Sequence, residues 1–209
     1  KFVFAFFNLL GIRKDLLWNH LLFLLIGIGV FFLVKKLGIN FFRNNARFFY
    51  WLFIGILIVT FVIGIEVKGS RRWIDLYFFN FQPSEFFKIF FIMFLSDYFA
   101  RHRKNIEEFS IFLKSLGYLL LPLLIVFKQP DLGNAAVLLF IYAIILFFSG
   151  TPKKYIIYST LTLLLILPVG WLTLKDYQQN RIVSFLNPEV DQRGINYNMT
   201  QAIIGLLFK

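Results

Sequence analysis

Six apolar runs govern what this chain can fold into. They are Leu16 to Val34, Phe48 to Ile65, Pro83 to Ala100, Phe109 to Phe127, Leu132 to Ser149 and Tyr155 to Leu174. Each is close to the ~20 residues that a helix needs to cross bilayer hydrocarbon. Unpaired backbone polar groups are intolerable in lipid, and these runs lack the in–out alternation of barrel strands, so they read as helices. The expected fold is all-α: one polytopic integral membrane domain over residues 1–209, with six complete transmembrane helices. The shorter apolar segments FVFAFFNLL and QAIIGLLFK at the two ends read as partial helices, and the chain as a piece of a longer protein.

Composition agrees and narrows the chemistry. Hydrophobic residues make up 59% of the chain, with 30 Phe, well above the ~45–50% of a soluble domain. With no Cys, disulfides, thiolate metal sites and CxxC redox chemistry are excluded. Two His are too few for a His-rich zinc site, and HExxH, GxxxxGK and GxGxxG are absent.

The loops divide into two alternating sets. Loops 35–47, 101–110 and 150–154 are short and dense in Lys and Arg, which places them on the cytoplasmic side. Loops 66–82, 128–131 and 175–198 carry most of the acidic residues, and the first and last are the longest. They are expected on the outer face, where their charge points to function.

The stretch from Lys68 to Lys88, KGSRRWIDLYFFNFQPSEFFK, sets this charge between two spans. Arg71 and Arg72 are adjacent guanidiniums, a group whose paired donors match phosphate oxygens, so with Lys68 they suit a diphosphate. Trp73 and Tyr77 suit the membrane interface in any case, and an aromatic belt with Arg contacting headgroups also fits this half. Gln82 and Pro83 lead into the next span, with Pro83 in its first turn and Glu85 near the positive end of the helix dipole. Glu85 and Lys88 are three apart and share a face, with Lys88 ~7–8 Å into the span. Lys88 can snorkel to the surface. An acid and a base on one face beneath a dibasic loop otherwise line a polar, outward-facing cavity that accepts an anionic headgroup.

Two more outer segments carry polar residues. In KQPDLG, Asp131 is placed to cap the next helix. The long segment KDYQQNRIVSFLNPEVDQRGINYN holds Tyr177 and Arg181 four apart, with Ile182, Phe185 and Leu186 suited to a short interfacial helix. Its Glu189 and Asp191 fit an acid, a base, a cation ligand or plain solvated carboxylates.

In this order, KGSRRWIDL…FQPSEFFK, KQPDLGNA and YQQNRIVSFLNPEVDQRGINYN resemble the signature set of the SEDS family (shape, elongation, division and sporulation), the RodA/FtsW/SpoVE proteins. The resemblance runs from about Leu16 to Gln201. It implies a ten-helix glycosyltransferase of the bacterial cytoplasmic membrane that polymerises lipid II, the undecaprenyl-diphosphate-linked precursor, into glycan strands. A class B penicillin-binding protein is its implied partner; nucleic acid is not. The family's positions fall here on Trp73, Gln82, Pro83, Glu85, Lys88, Asp131 and Gly133, then on Tyr177, Arg181, Pro188, Asp191, Gly194, Tyr197 and Gln201.

FQPSEFFK and FLNPE lean towards the elongation, RodA-like branch. Gln192 and Asn196 depart from the family's usual Pro and Gly, and Asn80 takes a position that some relatives fill with Arg. The family's catalytic Asp belongs to an LPExHTDF-type motif that this sequence does not contain, so no catalytic residue is assigned within it. Arg71, Arg72, Lys88 and Arg181 are the expected diphosphate ligands, with a divalent cation, Mg or Mn, as a further candidate and Asp191 its candidate ligand. A flippase for the lipid-linked precursor and a scaffold for the penicillin-binding protein are the alternative readings.

Overall fold

A computed structural model describes residues 14–67, 70–76, 80–174, 179 and 183. The chain divides into two compact units, Lys1–Phe49 and Tyr50–Lys209. Within the described residues the first unit is one long helix, α1 (Lys14–Asn44), broken at Gly38, whose φ of 74° glycine adopts without a Cβ penalty. The connector expected at 35–47 is therefore helical on both sides of Gly38. Its residues carry no other breaker, so the helix resumes until Asn45, whose side chain donates to the Phe41 carbonyl at 2.8 Å.

The second unit opens within α2 (Ala46–Ile63). Three short strands follow, β1 (Ile65–Val67), β2 (Ser70–Asp75) and β3 (Asn80–Phe81), and then α3 (Pro83–Arg101). A 3-10 turn at Arg103–Asn105 leads to α4 (Phe109–Lys128), and α5 (Leu132–Phe148) and α6 (Lys153–Thr173) complete the described elements. These six helices coincide with the six apolar runs, and the fold is that of a polytopic helical membrane protein. Three of them, taken as His20–Asn44, Ala46–Ile63 and Phe109–Lys128, are long and apolar enough to cross a membrane by length and composition, and Leu132–Phe148 is a shorter apolar helix. The charges of Glu85, Lys88, Asp97 and Arg101 set α3 apart from the uniformly apolar spans. The partial helices expected at the ends lie outside the described residues.

The sheet is the one departure from an all-helical reading. It is a meander in the order β1-β2-β3 within the 66–82 loop, antiparallel throughout. Gly64 makes the junction possible. A Cβ there would lie 2.4 Å from the Thr60 carbonyl oxygen and 3.1 Å from that of Trp73, so only glycine lets β2 approach the end of α2 this closely.

The core of the second unit is built from one face of each helix. Tyr50 and Leu57 of α2, Phe87, Phe91 and Leu95 of α3, Leu119 of α4, and Leu138 and Leu146 of α5 are all fully buried. Aromatic rings lock α2 to α3, with Tyr50 stacked on Phe94 at 4.3 Å and Phe53 on Phe90 at 4.6 Å. Because lipid is as apolar as the core, such packing and buried polar links replace the hydrophobic drive of a water-soluble bundle. Ser115 Oγ and Tyr142 Oη join α4 to α5 at 2.9 Å, and Gln129 Nε2 donates to the Leu57 carbonyl at 3.0 Å.

Loop ends pair as the charge pattern predicts. At one end, side chains of the 66–82 segment reach Asp131 of the 128–131 loop. At the other, the Tyr155 hydroxyl, one residue beyond the 150–154 loop, donates to the Glu107 carbonyl of the 101–110 loop at 3.1 Å.

Candidate functional site

Asp131 is the hub of a polar cluster where the 66–82 and 128–131 loops meet the helix ends. It is the N-cap of α5, and its Oδ1 accepts from the backbone N–H of Asn134 at 3.4 Å, so the expected cap forms. The same carboxylate does more. Arg72 Nη1 lies 3.2 Å from Oδ1, while Gln82 Nε2 and Asn134 Nδ2 both donate to Oδ2, at 3.0 and 2.9 Å. Its side chain is 5% exposed, so a buried charge is satisfied by one cation and by neutral donors, as burial in low dielectric requires.

Each partner is delivered by a distinct local device. Arg72 comes from a bulge: Ile65 pairs with Trp73 and Glu66 with Arg71, which leaves Arg72 unmatched on β1. A bulge of this kind re-aims a side chain out of the ladder. Gln82 is the N-cap of α3 in position only. Its backbone is extended, with φ −110° and ψ 100°, and its side chain leaves the helix end uncapped and turns to Asp131. Pro83 takes the first helical position, where its missing N–H costs nothing.

A second polar chain runs down the face shared by α3 and α5. Lys88 Nζ donates to Glu85 Oε2 at 2.7 Å and to Asn134 Oδ1 at 2.9 Å. Asn134 Nδ2 also donates to Ser84 Oγ at 3.1 Å, and Gln82 Nε2 reaches the same hydroxyl at 3.3 Å. Arg72, Gln82, Ser84, Glu85, Lys88, Asp131 and Asn134 thus form one connected network. Nε of Arg72 is the buried side-chain polar atom left without a hydrogen-bond partner among the described residues.

The site residues expected from the sequence separate into three groups. Arg72, Gln82, Glu85, Lys88 and Asp131 are brought together. Arg71 and Trp73 flank Arg72 on β2; Arg71 is exposed and Trp73 half-buried. Tyr177, Arg181 and Asp191 lie outside the described residues. Among the described residues no group of three His, Cys, Asp or Glu is placed to hold a metal ion. Ser84 and Asn134 belong to the network but were not singled out in the sequence. The available signal was an Asn three residues after a capping Asp, at the start of an otherwise apolar span.

Chemically, the network holds two cations, Arg72 and Lys88, at the mouth of the helix pair, each about one-fifth exposed and each oriented by a carboxylate. Arg71 adds a third positive charge on the same strand. Guanidinium and ammonium donors of this kind match the oxygens of an anion such as phosphate.

The family model described as "Cell cycle protein", FTSW_RODA_SPOVE, matches residues 6–207. A probable peptidoglycan glycosyltransferase FtsW of Buchnera aphidicola subsp. Baizongia pistaciae is 30% identical over 190 residues, which are 90% of this chain and 50% of that protein. The same-named protein of Nitrosococcus halophilus is 32% identical over 191 residues, 90% and 49% of the two chains. This chain therefore spans about half the length of the curated relatives it matches. Among solved structures, a chain from "Structural coordination of polymerization and crosslinking by a peptidoglycan synthase complex" aligns with a TM-score of 0.75 and 27% identity, over 91% of this chain and 56% of that one. The rod shape determining protein RodA of Thermus thermophilus aligns with a TM-score of 0.62 and 24% identity, over 74% and 51%, a likeness of fold.

Proposed function

The chain belongs to the FtsW/RodA/SpoVE family, the SEDS membrane proteins, and from that premise we propose that it forms the lipid-diphosphate-binding wall of a peptidoglycan glycosyltransferase that polymerises lipid II. The observation that carries this reading is the network itself. Two separate outer motifs, FQPSEFFK and KQPDLG, meet at Asp131 and Asn134 and present Lys88 and Arg72 together. Glycan polymerisation has to hold a departing diphosphate, and preorganised cations in a site of low dielectric are the efficient way to do so.

In this reading Lys88, Arg72, Arg71 and Arg181 hold the diphosphate, and Trp73 and Tyr177 contact the substrate. The Arg72 side chain is about one-fifth exposed, so its guanidinium can reach a phosphate oxygen while it stays paired with Asp131. Glu85 and Asp131 orient the cations and balance their charge while the site is unliganded. Deprotonating the attacking sugar hydroxyl requires a general base. We assign that base to the Asp of an LPExHTDF-type segment, and any divalent cation to Asp191; neither role falls on the network.

The proposed partner is a class B penicillin-binding protein, and FQPSEFFK with FLNPE favours the elongation branch. The branch is checked by complementation: rescue of lost rod shape supports it, and rescue of division arrest alone contradicts it. Reconstitution of the intact protein with lipid II tests the activity. Glycan formation supports a polymerase, headgroup translocation without glycan supports a flippase, and partner binding with neither supports a scaffold.

A further inference from the structure

The side-chain amide of Asn134 has one orientation that its surroundings accept. Nδ2 donates to Asp131 Oδ2 at 2.9 Å and to Ser84 Oγ at 3.1 Å, which occupies both of its hydrogens. Oδ1 is then left to accept from Lys88 Nζ at 2.9 Å. The flipped amide would set an oxygen against the Asp131 carboxylate and an N–H against the Lys88 ammonium, two repulsive contacts in place of two attractive ones. Asn134 is 7% exposed, and its backbone N–H is fixed by the cap to Asp131, so neither the side chain nor the helix end can drift to relieve them.

This has a consequence for Lys88. An ammonium has three N–H donors in tetrahedral array on a flexible stem, and on its own it is a rotating point charge. Glu85 Oε2 and Asn134 Oδ1 take two of the three. Two fixed donors fix the rotor, and the third N–H acquires a set direction. The Glu85 contact alone joins neighbours on a single helix, whereas Asn134 ties the ammonium to α5 and, through Asp131, to Arg72 on β2.

We propose that Asn134 is a positioning residue for substrate binding. It holds the Lys88 ammonium in register with Arg72, so that the two cations meet adjacent phosphate oxygens of a lipid-linked diphosphate. The inference rests on the glycosyltransferase reading of the site and adds a residue to it. Asn134 touches Lys88, Asp131 and Ser84 and not the reacting atoms, so it acts on the substrate only through the groups it orients.

The test measures lipid II affinity of the intact protein in lipid nanodiscs for wild type, Asn134→Leu, Asn134→Thr, Lys88→Ala and the Asn134→Leu/Lys88→Ala double variant. Asn134→Leu keeps the volume but removes the acceptor, and is expected to weaken binding about tenfold, the scale of one hydrogen bond to a charged group. Asn134→Thr supplies a hydroxyl that can accept from Lys88 while donating to Asp131, and is expected to recover most of the affinity, which a variant that merely misfolds would not show. In the Lys88→Ala background Asn134→Leu should cost much less than in the wild type, because only its links to Asp131 and Ser84 remain to be lost. Equal losses in both backgrounds would overturn the proposal, as would wild-type affinity for Asn134→Leu beside weakened Lys88→Ala. Wild-type affinity for Lys88→Ala would instead overturn the underlying site assignment, and the role of Asn134 with it.

Discussion

Arg72 and Asp131 form an ion pair at 3.2 Å that joins the sheet in the 66–82 loop to the helix cap in the 128–131 loop. The two residues come from different motifs, and neither motif by itself predicts the contact. A bulge frees Arg72 from the β1–β2 ladder, and the N-cap position fixes Asp131, so strand geometry and helix geometry converge on one bond.

Asp131→Ala should therefore be among the most damaging single changes at the outer end. It leaves a half-buried guanidinium without its counter-charge and removes a helix cap, a loss of about 3 kcal/mol or more. Arg72→Ala should cost less, since Gln82 and Asn134 continue to serve Asp131. Thermal unfolding in nanodiscs ranks the two, and the reverse order would contradict the hub role of Asp131.

Tyr50 solves a problem that Pro122 creates. Proline has no N–H, so within α4 the carbonyl of Tyr118, four residues earlier, loses its helical donor. The Tyr50 hydroxyl donates to that carbonyl at 2.8 Å from α2. Neighbouring helices commonly satisfy backbone groups freed in this way in membrane proteins. Tyr50→Phe should cost about 1–2 kcal/mol in the wild-type background and much less in Pro122→Ala, where the helical N–H is restored. A double-mutant cycle without coupling would refute the link.

Gly64→Ala should disturb both the end of α2 and the sheet beside it. The new Cβ meets backbone at 2.4 Å from Thr60 and at 3.1 Å from Trp73, and neither contact can give by side-chain rotation. A loss of about 1–3 kcal/mol is expected, with weakened lipid II binding, because Arg72 rides on β2. Unchanged affinity would separate the sheet from the site.

The helices were legible in the sequence, and the site only in part, for physical reasons. A membrane span announces itself by ~20 apolar residues, so five of the six appear within a few positions of their observed ends, while the first helix runs ten residues past Val34 through the expected connector. Which face of each packs inward is hidden, since lipid and core are equally apolar. Strands of two to six residues inside a charged loop show no usable alternation, so the sheet, and with it the bulge that aims Arg72, did not show. Lys88, Glu85 and Asp131 stood out because charge in or beside a span is costly. Ser84 and Asn134 are neutral and carry no such signal, although they join the charged residues into one network.

The Lys and Arg density of the short loops also predicts sidedness. Since the chain has no Cys, Leu76→Cys and Lys104→Cys each introduce a unique thiol into it. A membrane-impermeant maleimide applied to intact cells is expected to label position 76 and not position 104. The opposite result would invert the topology and place the network on the cytoplasmic side.

Polymerisation of lipid II by the intact protein carrying Lys88→Ala, reconstituted with the proposed penicillin-binding partner, bears most directly on the account. Glycan formation should fall to the level without enzyme, while expression stays at the wild-type value. Wild-type turnover in that variant would contradict the claim that this network holds the lipid diphosphate.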